Sequence, residues 1–172
     1  MSDRKDMELI AGLVPPGSRV LDLGCGSGEL LALLRDARQC SGYGIEIADA
    51  NVLACVQRGV NVIQLNLDEG LAMFDDRSFD VVLQIDTLQH LRNTERMLRE
   101  TARVGRIGIV SFPNFGFHKL RRMLADEGRS PKSAGVLHHE WHNTPNIRFF
   151  TIADFEAWAA WASERRIGLD RA

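Results

Sequence analysis

Three things are scarce in this 172-residue sequence: charge of one sign, paired cysteines and long hydrophobic runs. The net charge is −2, too close to neutral to supply the excess of cations that a phosphate backbone demands, so nucleic acid is not an expected partner. The cysteines, Cys25, Cys40 and Cys55, are odd in number and contain no Cys-x-x-Cys pair. That argues against a disulfide framework and against a zinc knuckle, and makes the reducing cytoplasm the expected setting. No run approaches the ~20 apolar residues of a membrane span, and no apolar stretch of signal-peptide type follows Met1–Asp6. No membrane association is expected.

What is present is a globular balance, with 45% apolar and 26% charged residues, which fits neither a disordered nor a fibrous chain. A chain of this length buries roughly 70% of its unfolded surface, enough for a full core. A single domain over residues 1–172 is expected.

Short β-branched runs alternate with longer segments of helical period, the pattern of buried parallel strands and their crossover helices. Strands are expected at Arg19–Leu23, Gly42–Glu46, Val60–Leu65, Phe79–Ile85 and Ile107–Phe112. The intervening helices are expected at Glu29–Arg38, about Ala48–Arg58 and Asn93–Arg103, the last turning Met97, Leu98 and Ala102 inward. From Asn114 to Asn146 the regularity falters into a basic helix around His118–Ala125 and a long excursion rich in glycine, serine and proline. Thr151 is placed to cap a final helix, Ile152 to about Glu164, with Asp154 in its first turn. Phe155, Trp158, Ala159 and Ala162 share the core face of that helix, and Trp161 is turned away from it. The expected fold is therefore α/β, a doubly wound, mostly parallel sheet, and such sheets bind ligands beyond the carboxyl ends of their strands.

Gly24-Cys25-Gly26-Ser27-Gly28 follows the first strand and opens a helix, where glycines let the backbone approach a ligand closely. Glu46 ends the second strand, where an acidic side chain can take both hydroxyls of a ribose. A nucleoside-containing ligand is expected. A dinucleotide fingerprint wants a small residue at position 29, whereas this chain has Glu29, with Asp22 before the loop. Two carboxylates so near a pyrophosphate would repel it. S-adenosylmethionine carries no phosphate but an ammonium and a sulfonium, and an acidic, backbone-lined pocket suits it.

At these positions the chain resembles the class I S-adenosylmethionine-dependent methyltransferases. Val20–Gly28 is similar to their first motif and Glu46 to their ribose-binding acid. Asn66-Leu67-Asp68-Glu69 before Ser78-Phe79-Asp80-Val81-Val82 resembles the adenine-side loop and fourth strand, with either Asn66 or Asp68 meeting the adenine amino group. Leu88-Gln89-His90-Leu91 resembles the segment lining the methyl-donor end. The cofactor-binding set the resemblance implies is Asp22, Gly24, Cys25, Gly26, Glu46, Ile47, Leu67 and Asp68, for S-adenosylmethionine or S-adenosylhomocysteine. His90 is the candidate catalytic base.

A narrower resemblance rests on Ser111–Gly116, Glu140–Ile147 and Gly59–Gln64 before Leu67–Leu71, which are similar to the methionine-biosynthesis protein MetW family. It implies a methyltransferase-like fold associated with homoserine O-acyltransferase. The chain departs from that family's pattern at His142 and Asn143, where tyrosine and aspartate are usual. It also departs at its end: a complete methyltransferase sheet needs two further strands, and eight residues follow Glu164. The C-terminal strand pair is thus expected to be incomplete, with the fifth strand an edge that invites a second chain, a homodimer included.

Three readings follow: a protein of methionine biosynthesis regulated by S-adenosylmethionine or S-adenosylhomocysteine, a small-molecule methyltransferase with His90 near the acceptor, and a scaffold that has lost the use of its pocket. His138, His139 and His142 with Glu140 do not make the helical zinc pattern, which needs histidine where Asn143 stands, so no metal site is expected. Cys25 is expected to serve as a small side chain that fits its loop, and Lys119, Arg121 and Arg122 to form a solvated face.

Overall fold

A computed structural model describes residues 4–133 and 137–164. Its helices are α1 (Arg4–Leu13), α2 (Glu29–Arg38), α3 (Asp49–Gln57), α4 (Thr94–Val104), α5 (His118–Glu127) and α6 (Ile152–Glu164). Its strands are β1 (Arg19–Leu23), β2 (Ser41–Glu46), β3 (Val62–Gln64), β4 (Phe79–Ile85) and β5 (Gly105–Ser111). Two single 3-10 turns, Leu67–Glu69 and Leu88–His90, follow β3 and β4.

All strand pairs are parallel, in the order β3-β2-β1-β4-β5, so the chain winds outward from β1 in both directions. The expected doubly wound α/β fold is what the chain adopts. Successive strand residues face opposite sides, and each side has its own core. Val20, Val81 and Leu83 pack with Leu30, Leu31 and Leu34 of α2 and with Ile10, Ala11 and Val14 at the end of α1. Leu21, Leu23 and Val82 pack on the other side with Met97, Leu98 and Val104 of α4. Burial on both faces explains why β1 and β4 read as near-continuous apolar runs.

Several boundaries shift from the sequence expectation. β3 shrinks to three residues, its start delayed because the Val60 amide donates to the Cys55 carbonyl at 2.9 Å. β5 begins at Gly105, directly out of α4, and Thr101 rather than Ala102 is fully buried on α4. α1 is an addition: Met7, Ile10, Ala11 and Val14 recur at helical spacing and close one face of the sheet. In the excursion, α5 stops where Gly128 turns left-handed (φ 62), a conformation glycine enters without a Cβ penalty.

α6 begins as expected: the Asp154 amide donates to the Thr151 hydroxyl at 3.2 Å, and the Thr151 amide donates to the Asp154 carboxylate at 2.8 Å. Phe150, Phe155 and Trp158 lie half-buried against the α4-side core, with Phe112 stacked between Phe150 and Phe155 at 4.4 and 5.2 Å. Ala162 is fully buried, whereas Trp161 stays at the rim. Among the described residues β5 is a sheet edge, with Arg106, Ile107 and Gly108 exposed. The expected incomplete strand pair falls on residues 165–172, outside the described residues. Among the described residues no helix is long and apolar enough to cross a membrane.

Candidate functional site

The sheet order reverses between β1 and β4, and the loops leaving their carboxyl ends part there to form a crevice. The first wall is the glycine loop. The amides of Gly24 and Cys25 both donate to the Ile45 carbonyl, at 2.8 and 3.0 Å, which folds the loop over the end of β2. Gly24 sits at φ 80, and a Cβ there would lie 2.8 Å from the Thr87 hydroxyl oxygen, so only glycine lets the two loops meet.

Asp22 is 3% exposed at this end of β1. Burial first, and the charge of Glu46 second, push its carboxyl from 3.8 up to about 7. Glu46, also buried, turns one carboxylate oxygen back on its own loop: Oε1 accepts from the amides of Ile47 and Ala48, both at 2.8 Å. Oε2 accepts nothing among the described residues. Burial also pushes the Cys25 thiol up, aided by Asp22, which disfavours the thiolate. The thiol lies 3.8 Å from that of Cys55, and both cysteines are free.

Across the crevice, Asp68 Oδ1 accepts from the amides of Arg92 and Asn93 at 3.1 and 3.2 Å, tying the loop after β3 to the start of α4. Asn66 accepts from the Asp68 amide at 3.1 Å. Both side chains that the sequence offered to an adenine amino group therefore have backbone partners, Asp68 through Oδ1 alone. His90 Nδ1 lies 3.1 Å from the Pro145 carbonyl, a contact that requires the proton on Nδ1. Nε2 then faces the Gln89 amide nitrogen at 3.4 Å, as acceptor.

The crevice has two halves. One, of about 370 Å³, is walled by Glu46, Ile47, Leu67 and Asp68. The other, of about 360 Å³, is walled by Asp22, Cys25, Gly26 and Ser27, and is roofed by Met7, His138, His139 and Pro145. Gly24, Asp86 and His90 belong to both. All eight sequence-chosen binding residues and His90 thus line one crevice. Five carboxylates stand on its walls, those of Asp22, Glu29, Glu46, Asp68 and Asp86, and among the described residues no lysine or arginine does. Glu29 is offset by its ion pair with Arg58 at 3.0 Å. Among the described residues no three His, Cys, Asp or Glu side chains converge as a metal site.

Sequence reasoning missed Met7, Asp86 and the roof. Met7 was available from the spacing of α1. Asp86 was available as an acid directly after a strand. His138, His139 and Pro145 reach the crevice only through the tertiary path of the excursion, which is stitched down where the amides of Ile147 and Arg148 donate to the Gln89 carbonyl at 2.8 and 3.1 Å.

A family model described as "Methionine biosynthesis protein MetW" matches residues 4–170. The "Bifunctional methionine biosynthesis protein MetXA/MetW" of Rhodopirellula baltica is 47% identical over 157 residues, 87% of this chain and 25% of that protein. The 27-O-demethylrifamycin SV methyltransferase of Amycolatopsis mediterranei is 32% identical over 58% of this chain and 39% of its own length. The chain therefore spans a quarter to two fifths of these relatives. Among solved structures, a SAM-dependent methyltransferase of Thermotoga maritima, described as a possible histamine N-methyltransferase, superposes with a TM-score of 0.67 at 20% identity, covering 96% of this chain and 70% of that one. A SAM-dependent methyltransferase of Archaeoglobus fulgidus gives 0.66 at 18% identity, covering 90% and 67%. At that identity the likeness is one of fold.

Proposed function

Because this chain belongs to the methionine biosynthesis protein MetW family, we propose that it binds S-adenosylmethionine or S-adenosylhomocysteine and acts with homoserine O-acyltransferase in methionine biosynthesis. The observation that carries the ligand class is the charge of the crevice: carboxylates on its walls, a backbone-lined glycine loop, and no lysine or arginine among the described lining residues. A nucleotide phosphate would face these carboxylates with no lysine or arginine to offset them, whereas a nucleoside with a cationic amino-acid tail brings a charge of opposite sign. Glu46 Oε2 takes the ribose hydroxyls, Ile47 and Leu67 flank the adenine, and Asp22 faces the ammonium.

The partner follows from family membership and from the bifunctional relative, whose name joins MetXA and MetW in one protein. In this reading the ligand, as the pathway's downstream product, biases the association. The contacts from His90 to Pro145 and from Gln89 to Ile147 and Arg148 support it, since they join the crevice to the surface-exposed excursion. One domain with its excursion at about residues 114–146, working in the cytoplasm, belongs to the same proposal.

Calorimetry with each ligand, followed by partner affinity with and without it, tests the proposal. Binding of either ligand together with a changed partner affinity supports it. No ligand binding, or an unchanged partner affinity, contradicts it. A second reading, methyl transfer to a small acceptor, is favoured by the reach of the Asp22-side cavity to His138 and His139, where an acceptor would sit beside His90. Turnover of labelled donor across a metabolite panel separates the two.

A further inference from the structure

We propose that Asp86 makes this pocket select a positively charged sulfonium over a neutral thioether, and so S-adenosylmethionine over S-adenosylhomocysteine. The proposal rests on the reading of the crevice as an S-adenosyl site and says which of the two ligands it reads.

The first observation is position. In both ligands the sulfur is the atom that joins adenosine to the amino-acid chain. A ligand with its ribose at Glu46 and its amino-acid end at Asp22 carries that sulfur across the junction of the two cavity halves. The side chains common to both halves are those of Asp86 and His90, with Gly24 supplying backbone.

The second observation is that Asp86 is held in place. Its φ is 52, in the left-handed region that residues with a Cβ seldom enter. β5 imposes this conformation: the Asp86 amide lies 3.2 Å from the Ser111 carbonyl and 3.1 Å from its hydroxyl, and that hydroxyl donates back to the Asp86 carboxylate at 3.4 Å. On the other side the Thr87 hydroxyl donates to the Leu23 carbonyl at 2.8 Å. The carboxylate at the junction is fixed before any ligand arrives.

The third observation is the lack of an ion-pair partner among the described residues. Among the described residues no guanidinium or ammonium pairs with Asp86, and the titratable groups lining the crevice with it are His90, His138 and His139, the Cys25 thiol and the acids Asp22, Glu29, Glu46 and Asp68. Burial pushes its carboxyl up, with the Ser111 bond opposing. A sulfonium at the junction would place a full positive charge beside the carboxylate in a partly desolvated setting; a thioether would not. The two ligands otherwise differ by one methyl group.

The test is calorimetry on the full chain with three probes: S-adenosylmethionine, S-adenosylhomocysteine and sinefungin, whose charged amine stands near the sulfur position. The wild-type chain is expected to bind both cationic ligands at least about tenfold more tightly than the thioether, about 1.4 kcal/mol. Asp86→Asn, which tolerates the same backbone region, is expected to bring the three within about twofold by weakening the cations alone. Asp86→Glu is expected to keep part of the preference. Equal wild-type affinities overturn the proposal, and so does an Asp86→Asn protein that weakens all three alike or keeps the wild-type ratio. Should the variants unfold, the wild-type ligand series alone decides. Failure of all three probes to bind the wild type removes the S-adenosyl reading itself, an outcome distinct from equal binding.

Discussion

Asp22 and Glu46 repel each other across the adjoining strands β1 and β2, and this repulsion adds to burial in raising the Asp22 carboxyl to about 7. A carboxyl in that state is half-charged near neutral pH, and whatever cation enters the crevice decides its ionisation.

The sign of the resulting pH dependence is fixed. Folding lifts Asp22 above its ordinary 3.8, so between about 4 and about 7 the folded chain holds a proton that the unfolded chain releases. The ligand-free protein is therefore expected to lose stability as pH rises through this window. Asp22→Asn should flatten that part of the profile and raise the unfolding midpoint at pH 8. Cation binding runs the other way, tightening as pH rises through about 7. Thermal unfolding from pH 5 to pH 8, with and without S-adenosylmethionine, reads both slopes; a ligand-free profile that rises with pH and is identical in Asp22→Asn excludes this role.

Glu46 has two jobs that two variants separate. Glu46→Ala removes the acceptor for the Ile47 and Ala48 amides as well as the charge, and Glu46→Gln keeps an acceptor oxygen. Glu46→Ala should weaken nucleoside binding at least about tenfold, since charged hydrogen bonds contribute about 1.5–3 kcal/mol. Glu46→Gln should weaken it less while retaining the unfolding midpoint. Unaltered ligand affinity in Glu46→Ala, by calorimetry, removes Glu46 from the site.

Gly24→Ala places a methyl group 2.8 Å from the Thr87 hydroxyl and strains a backbone at φ 80. A loss of about 1–3 kcal/mol by denaturant unfolding is expected, with ligand affinity falling as the two loops separate. The double variant Gly24→Ala, Thr87→Ser should recover part of it, because the Thr87 methyl group, 3.2 Å from the new Cβ, is then gone.

Much of this was legible in the sequence for local reasons. β1, the glycine loop and α2 are consecutive, so a strand, a turn and a helix could be read within twenty residues, and β4 carries its double burial as a near-continuous apolar run broken at Asp80 and Gln84. Glu46 was legible because it ends the next strand, at the same carboxyl edge. Asp86 was harder: its place as an acid directly after a strand is visible locally, but its left-handed turn depends on Ser111 from a different strand. The roof of the crevice was illegible for the same reason, since Pro145 and His139 arrive by an irregular path fixed by contacts to Gln89 and His90. α1 was missed because its first turn is polar, although Met7, Ile10, Ala11 and Val14 already had the spacing.

A crystal structure of the chain grown with S-adenosylmethionine bears most directly on the central claim. The expected result is one ligand spanning both cavity halves, its ribose hydroxyls within about 3 Å of Glu46 Oε2 and its sulfur beside Asp86. Ligand density elsewhere on the molecule, or an empty crevice at saturating ligand, contradicts it.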